Sequence, residues 1–96
     1  MNKYELVYIV DAHVAQSVKD DISKQVADIA AKSDVKIVNS QVWLEKQKMS
    51  FPINKIWEGA YYMLNVQAKS AAINKMQTLL KINEQVLRFV AIRQEG

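Results

Sequence analysis

Alternating hydrophobic and polar positions at the start of the chain predict a β-strand over residues 3–10. One side of this strand would carry four large side chains: Tyr4, Leu6, Tyr8 and Val10. After a polar connection, apolar residues recur at three- and four-residue steps as far as Lys32, which predicts an amphipathic helix of about four turns. Ser17 and Asp20 have the spacing of a capping box, so we expect the helix to begin at this pair.

The next apolar segment, residues 35–49, is rich in β-branched and aromatic residues and predicts a second strand. Its apolar residues change phase along the segment, which indicates a bulge or bend near Leu44. Pro52 has no backbone N–H to donate to a neighbouring strand. We therefore expect the strand to end there and a loop to run through Trp57.

Gly59 opens a third strand, in which four alternate residues are expected to face the core: Ala60, Tyr62, Leu64 and Val66. A second helix follows from Ser70, whose side chain suits an N-cap. One face of this helix carries Ile73, Met76, Gln77 and Leu80. A polar link over residues 83–85 then leads into a last strand over residues 86–93.

The resulting element order, βαββαβ, is typical of the ferredoxin-like split βαβ fold in the α+β class. It predicts one domain over residues 1–96, with a four-stranded antiparallel sheet and both helices on one face. Six residues are expected on the other, open face: Val7, Ile9, Tyr61, Met63, Val90 and Ile92. The phase of the last strand stays open, because Leu87, Phe89 and Ala91 fit the outward positions equally well.

Composition excludes several classes of protein. The chain contains no cysteine, which excludes disulfides and thiolate chemistry. Hydrophobic residues make up 50% of its 96 positions, but polar residues interrupt them long before the roughly 18 apolar residues of a membrane span are reached. The first three residues lead directly into the first strand and leave no room for a signal peptide. We therefore expect a cytoplasmic protein that does not enter the membrane.

The net charge of +3 is unevenly distributed along the chain. Residues 11–35 contain five Asp and three Lys, whereas residues 36–93 contain nine Lys or Arg and three Glu. A basic second part suits a polyanionic partner, but a similar excess is common on solvated surfaces. Charge therefore indicates nucleic acid only in combination with a binding motif.

Little in the sequence favours catalysis. The one histidine, His13, lies in a polar connection and is interpreted as a solvated loop side chain. Asp20 and Asp21 are about 100° apart on a helix and are expected to complement its dipole rather than to form an acid–base pair. The only glycines are Gly59 and Gly96, which excludes a glycine-rich phosphate loop, and no residues have metal-ligand spacing. We expect neither an enzyme nor a bound cofactor or metal.

A basic segment before the third strand has the composition of an RNA contact. Lys46 and Lys48 would project from the same face of an undisturbed strand, and Lys55 follows after the predicted strand end. Polar donors and an aromatic plane that suit unpaired RNA bases lie among them: Gln47, Asn54 and Trp57. Phe51 is expected in the core rather than as a stacking platform. The lysines have an alternative role, which is to protect an edge strand from aggregation.

Three stretches of the chain carry a family resemblance. They are the opening strand Tyr4–Val10, the basic segment Lys46–Lys55 that leads through Pro-Ile-Asn-Lys to Gly59–Tyr62, and the segment Leu80–Arg88 before the last strand. No single stretch is specific, but their order and spacing over residues 3–93 are. Together they resemble the bacterial small-subunit ribosomal protein S6 family.

This resemblance implies a structural, non-catalytic constituent of the small ribosomal subunit. It implies binding to the central domain of 16S ribosomal RNA together with ribosomal protein S18. The basic pair of the family falls on Lys46 with Gln47, or on Gln47 with Lys48, and Glu45 stands where many members have Gly. Three further basic positions of the family match this chain: Lys55, Lys81 and Arg88. We expect the open-face residues to contact the partner protein, because exposed apolar patches mark contact sites.

Other proteins of this topology remain as alternatives. An RNA-recognition motif would stack bases on the third strand, but Glu58 stands where that motif has a basic residue. An acylphosphatase needs a basic anion-binding loop after the first strand, which residues 11–14 do not supply. A free-standing ferredoxin-like module for ligand binding or dimerisation fits the topology alone. Such a module would lack the salt-dependent binding of an RNA protein, and we expect no small-molecule substrate.

Overall fold

The computed structural model describes residues 2–53, 55–83 and 85–94. Within these residues the elements follow in the order β1 (Asn2–Asp11), α1 (Gln16–Lys32), β2 (Lys36–Ile53), β3 (Ile56–Ala68), α2 (Ser70–Lys81) and β4 (Arg88–Gln94). The strands form one sheet in the order β2-β3-β1-β4, and every neighbouring pair is antiparallel. The predicted βαββαβ order and ferredoxin-like fold class are confirmed.

The core lies between the two helices and one face of the sheet. The helices contribute six buried side chains: Ile22, Val26, Ala30, Ile73, Met76 and Leu80. These pack with alternate residues of the central strands: Tyr4, Leu6, Tyr8, Val10, Ala60, Leu64 and Val66. Tyr62 is partly buried against this cluster, and its ring stacks on Tyr8 with the ring centroids 5.1 Å apart. The predicted inward faces of β1 and β3 and the apolar stripes of both helices are confirmed.

α1 begins without the predicted capping box. The helix starts at Gln16, and the preceding Ala15 provides no side-chain hydrogen bond to it. The amide Nε2 of Gln16 instead donates to Oδ1 of Asp20 over 3.0 Å. The capping role of Ser17 is therefore wrong. The first turn contains no acidic residue, so the predicted complement to the helix dipole from Asp20 and Asp21 is wrong as well.

α2 also lacks the side-chain cap that the sequence predicts. Ser70 is the first residue of this helix, and Lys69 occupies the N-cap position in an extended conformation. The hydroxyl of Ser70 is instead hydrogen-bonded to the phenol of Tyr4 over 3.0 Å. This contact fixes the start of α2 to the first strand of the sheet.

β2 is an irregular edge strand. Its pairing with β3 shifts register on both sides of Leu44, between Val42 and Leu44 and again between Leu44 and Gln47. The predicted bulge near Leu44 is therefore confirmed. Bulges bend a strand and increase its local twist, so the second half of β2 follows a different direction from the first.

The strand does not end at Pro52. It continues to Ile53, which pairs with Ile56, so the predicted strand end and the loop through Trp57 are wrong. Pro52 is accommodated because the pairing register also shifts between Lys48 and Ile53. On an irregular edge strand the missing N–H of proline interrupts no regular ladder.

β4 begins two residues later than predicted. Phe89 lies opposite the core residue Tyr8, so Phe89 and Ala91 share the face that packs against the helices. Val90 and Ile92 therefore lie on the open face. The structure thus resolves the strand phase that the sequence left open.

Candidate nucleic-acid and partner interface

The open face carries the six residues predicted for it: Val7, Ile9, Tyr61, Met63, Val90 and Ile92. Val7 and Ile9 are only 8% and 5% exposed, because β1 is flanked by β3 and β4 along its length. Val90 and Ile92 lie in the edge strand and are 42% and 51% exposed. These six residues therefore form an apolar region of the open face, with its most accessible part at the β4 edge.

The end of β2 bends across this face. A groove of about 260 Å³ is lined by residues from all four strands, among them Ile9, Met49, Tyr61 and Arg88. β2 and β4 are opposite edges of the sheet, so they line one groove only if the end of β2 leans over the intervening strands. Met49 is accordingly buried although it belongs to an edge strand. The register shifts within β2 provide the bend.

The basic segment predicted for RNA binding pairs with the start of β3. Gln47 lies opposite Gly59, and Lys48 lies opposite Glu58. The Nζ of Lys46 is 3.5 Å from Oε2 of Glu58, so this lysine is held by an ion pair. Gln47 and Lys48 line the open-face groove, whereas Lys46 is not among the residues that line it. Glu58 therefore lies opposite Lys48 and is ion-paired with Lys46.

Glu58 joins the basic segment to the end of β1. Its Oε1 lies 3.0 Å from Nε2 of His13, and its backbone carbonyl accepts a hydrogen bond from Ala12 over 3.1 Å. The hydrogen bond with His13 and the charge of Lys46 hold the pKa of the Glu58 carboxyl below its ordinary value. Sequence reasoning treated His13 as a solvated side chain and missed this contact. The pairing of Asp11 with Gly59 would have revealed it, since that register brings residues 12 and 58 together.

Lys81 and Arg88 lie together in a second cavity. This cavity of about 630 Å³ is formed by the end of α2, the following link and the start of β4. Lys81 is the last residue of α2 and Arg88 the first of β4, and both are exposed at its surface. Arg88 lines this cavity as well as the open-face groove. The two concave regions therefore adjoin at Arg88, with Lys48 on one side and Lys81 on the other.

The tip of the β2–β3 hairpin carries the remaining predicted RNA contacts. Lys55 is exposed and has a φ of 67°, in the left-handed region. Trp57 is exposed in β3, close to the hairpin turn. Asn54 lies outside the described residues. The structure therefore places Lys55 and Trp57 at the hairpin tip, whereas Arg88 lies in the adjoining grooves.

Aromatic side chains are more exposed here than the sequence predicts. Phe51 is 59% exposed and lines the open-face groove, so its predicted place in the core is wrong. Trp43 is exposed on β2 and meets the ring of Tyr61 edge-on, with centroids 6.1 Å apart. Sequence reasoning gave Trp43 no role, because the bulge that turns it outward depends on the pairing with β3. The hairpin thus offers flat apolar surfaces next to basic groups.

The described ranges contain no group of three or more His, Cys, Asp or Glu residues placed to hold a metal ion. Neither helix in these ranges has the length and apolar character needed to cross a membrane.

The fold is that of a ferredoxin-like α+β protein, in which both helices cover one face of a four-stranded antiparallel sheet. The other face stays accessible and carries an apolar region, and basic groups lie at one end of the sheet. Residues 3–93 match the family model of Ribosomal protein S6. The chain therefore belongs to the ribosomal protein S6 family. It is a small-subunit ribosomal protein, and the family is structural and non-enzymatic.

The fold is similar to that of a solved member of the family. The crystal structure of 30S ribosomal protein S6 from Thermotoga maritima superposes with a TM-score of 0.86 at 17% sequence identity. The match covers 97% of this chain and 87% of that chain. The likeness therefore concerns the whole architecture, including the order of strands and helices. Family membership implies partnership with ribosomal RNA and the ribosome.

Proposed function

We propose that this protein binds the central domain of 16S ribosomal RNA together with ribosomal protein S18, as a structural constituent of the small subunit. The observation that carries the proposal is the position of Arg88, which lines two adjoining concave regions. Lys48 lies in one of them and Lys81 in the other. Three basic groups are thereby arranged around one end of the sheet: Lys81 and Arg88, which match basic positions of the family, and Lys48, which belongs to one of the two alignments of the family's basic pair.

The chemistry of this end suits structured RNA with unpaired bases. Ammonium and guanidinium groups at Lys48, Lys81 and Arg88 would contact phosphates and fix the register of the RNA. The exposed rings of Phe51 and Trp57 would stack on splayed bases, which is the usual mode of RNA recognition outside double helices. Because Lys46 is paired with Glu58, we expect it to contribute less than Lys48.

The open face supplies the surface for the protein partner. Val90 and Ile92 are exposed beside the buried Val7, so an apolar surface continues from the centre of the sheet to the β4 edge. Contiguous exposed apolar surface marks contact sites. Arg88 begins the same strand, so a partner on this face would lie directly next to the RNA contact.

RNA titration at several salt concentrations tests the RNA contact. The double variant Lys48→Ala/Arg88→Ala should bind the RNA more weakly, and its log–log salt slope should be smaller by about 1 for each lost phosphate contact. The variant Lys46→Ala/Lys48→Ala should show a smaller loss. The matched control Lys19→Ala/Lys24→Ala removes the same charge from α1. Its salt slope should stay close to that of the wild type, because it changes the net charge of the protein but removes no phosphate contact. An unchanged affinity and slope in the first variant would place the RNA elsewhere.

A second titration tests cooperation with the partner. RNA is added to the protein alone and to its mixture with S18. If binding is linked, S18 tightens RNA binding by the same factor as RNA tightens the protein pair. The complex should also show a steeper salt slope, because S18 should add its own basic groups. Equal RNA affinities in the two titrations would contradict cooperative assembly and leave an independent RNA binder or a ferredoxin-like ligand module.

A further inference from the structure

A groove lies on the helix-covered face of the sheet, between α1 and the edge strand β2. The volume of this α1–β2 groove is about 320 Å³, at the lower end of the roughly 300–1,000 Å³ typical of ligand sites. Its floor consists of Tyr8, Tyr62 and Leu64 from the central strands, and its walls come from α1 and β2. The concave regions that hold Lys48, Lys81 and Arg88 have other linings. The groove is therefore separate from the contacts proposed for RNA.

The groove exists because the helices do not reach over the edge strand. Ser40 and Val42 lie opposite Leu64 and Tyr62, so their side chains are on the helix-covered face. Both residues are nevertheless exposed, Val42 to 51%. An apolar side chain thus stays in water on the face where the core forms. A segment added along β2 would cover it without displacing any part of the chain.

The outer edge of β2 offers main-chain groups next to the groove. β2 comes first in the strand order β2-β3-β1-β4, and no strand of the described ranges pairs with its other side. Residues 39–42 pair regularly with β3, between the register shifts at Ile37/Asn39 and Val42/Leu44. Alternate N–H and C=O groups of this regular stretch therefore point away from the sheet. Such groups pair with an added strand.

The ring of Tyr62 provides an aromatic surface in the groove. It stacks on Tyr8 with the ring centroids 5.1 Å apart and the planes at 9°, so one face of the ring is covered. β1 and β2 flank β3 on opposite sides, so the other face of the ring is turned towards Val42 and the groove. The faces of aromatic rings attract cations, and the planar guanidinium of arginine also stacks on them.

The charges at this ring are negative. Asp20 is the only charged residue among the described residues that line the groove. Burial raises the pKa of the Tyr62 phenol, and the charges of Asp20 and Glu45 raise it further, so both carboxylates act on this ring. Gln16 donates to Oδ1 of Asp20, and neither carboxylate is ion-paired within the described ranges. The groove therefore attracts a cation and repels the phosphates of RNA.

We propose that the α1–β2 groove binds an extended segment of a partner protein that carries an arginine. The guanidinium stacks on Tyr62 and is attracted by the carboxylates of Asp20 and Glu45, while the main chain of the segment pairs with residues 39–42. Apolar side chains beside the arginine cover Val42. A small cation alone would leave this side chain and the strand edge uncovered, so a protein segment fits the groove better.

Titration with a strand-length peptide tests the groove directly. The probe is a blocked seven-residue peptide of threonine and valine with arginine at its centre, and the matched probe carries the neutral isostere citrulline instead. Amide NMR signals of residues 39–42 should shift along one saturable curve. The citrulline peptide should bind about tenfold more weakly, because it loses the cation–π contact and the attraction of the carboxylates. Shifts that do not saturate, or equal binding of the two peptides, would overturn the proposal.

Free arginine amide distinguishes a protein segment from a small cation. It carries the same guanidinium but cannot pair along β2 or cover Val42, so it should bind more weakly than the arginine peptide. Equal affinities would overturn the assignment of a protein segment.

The double variant Asp20→Asn/Glu45→Gln tests the two carboxylates. It should weaken binding of the arginine peptide about threefold to tenfold, as expected for two accessible charges. The matched control Asp21→Asn/Asp28→Asn removes the same charge from exposed positions of α1 that do not line the groove. It should bind almost as tightly as the wild type. Equal affinities of the two variants would contradict the role of these carboxylates, and with it the proposal.

RNA titration of the same two variants separates the groove from the RNA contact. Each variant removes two negative charges, so RNA affinity should rise by a similar factor in both. A larger rise for Asp20→Asn/Glu45→Gln would place RNA in the groove and overturn the proposal. The peptide titrations use neither RNA nor S18, so their result does not depend on the function proposed for the hairpin end and the open face.

Discussion

The two faces of the sheet share the same strands and differ in what covers them. On one face, Leu6 and Leu64 lie under two amphipathic helices and are almost completely buried. On the other, Val7 and Ile9 are buried by neighbouring strands and by the bent end of β2, whereas Val90 at the edge stays exposed. Strand alternation therefore gives the sheet apolar residues on both faces, and the helices of the chain cover only one of these faces.

This difference separates stability from recognition. Residues on the helix-covered face gain their burial within the chain, so their loss leaves a cavity that the surroundings cannot fill. Residues on the open face are covered in part, and the remaining surface is available to a partner. Substitutions on the two faces should therefore affect different measurements.

The largest effect is expected from Leu64→Ala on the covered face. It should lower the free energy of unfolding by ~2–4 kcal/mol, because Leu64 is buried in a central strand. The neighbouring Met63→Ala on the open face is the matched control and should cost about 1 kcal/mol. Denaturant unfolding measures both. Equal losses would mean that the two faces contribute equally to stability.

Gly59→Ala tests how closely the open face is packed. A Cβ at this position would lie 2.6 Å from Cγ2 of Ile9, a contact so short that the Ile9 side chain or the strands around it must shift. We expect a loss of about 1–3 kcal/mol in the free energy of unfolding. Combining it with Ile9→Ala removes the opposing methyl group, so the double variant should lose less than the two single variants together. Strict additivity would show that the contact does not limit substitution.

The double variant Val90→Thr/Ile92→Thr should separate recognition from stability. Threonine keeps β-branched side chains in the edge strand, so the free energy of unfolding should change by less than ~1 kcal/mol. The isolated wild-type chain should self-associate weakly at high concentration through its open face, and the variant should do so less. Sedimentation measures the association, and S18 binding should weaken in parallel. A large loss of stability would instead assign these residues to the fold.

The smallest effect concerns Glu58, next to the hairpin. Its pKa in the folded protein is below the ordinary value of 4.5, because it is hydrogen-bonded to His13 and lies near Lys46. The ionised carboxylate therefore favours folding above that pH, and the contribution is lost as the pH falls through the folded pKa. In His13→Ala the carboxyl pKa, followed by NMR, should rise towards its ordinary value. An unchanged pKa would contradict the role of the hydrogen bond.

Local patterns predicted the fold because the periods of strands and helices depend on neighbouring residues. Alternation assigned Leu64 to the core and Val7 to the open face, and the phase shift near Leu44 revealed the bulge. The helix starts were missed because side chains expected to cap them bond elsewhere, as Ser70 does with Tyr4 at α2. At α1, Asp20 accepts a hydrogen bond from Gln16 instead of completing a capping box.

The candidate site was less predictable because it depends on contacts between distant segments. The groove that joins Met49 to Arg88 exists only because β2 bends across the sheet, and no local pattern gives the direction of that bend. The ion pair of Lys46 with Glu58 likewise depends on the register of β2 with β3, which places Lys48 opposite Glu58. Phe51 was assigned to the core by its residue type, whereas the bent strand leaves it in water.

The central place of β1 has a consequence for the rate at which the chain folds. The β2–β3 hairpin closes between Ile53 and Ile56, but β1 pairs with β3 and with β4, where Lys3 lies opposite Gln94. Pairings between such distant residues close large loops, and the entropy of loop closure is lost before the contacts stabilise the chain. This slows folding. We therefore expect the incorporation of β1 to limit the folding rate. Substitutions of Leu6 should then slow folding, whereas those of the hairpin tip should mainly change the rate of unfolding.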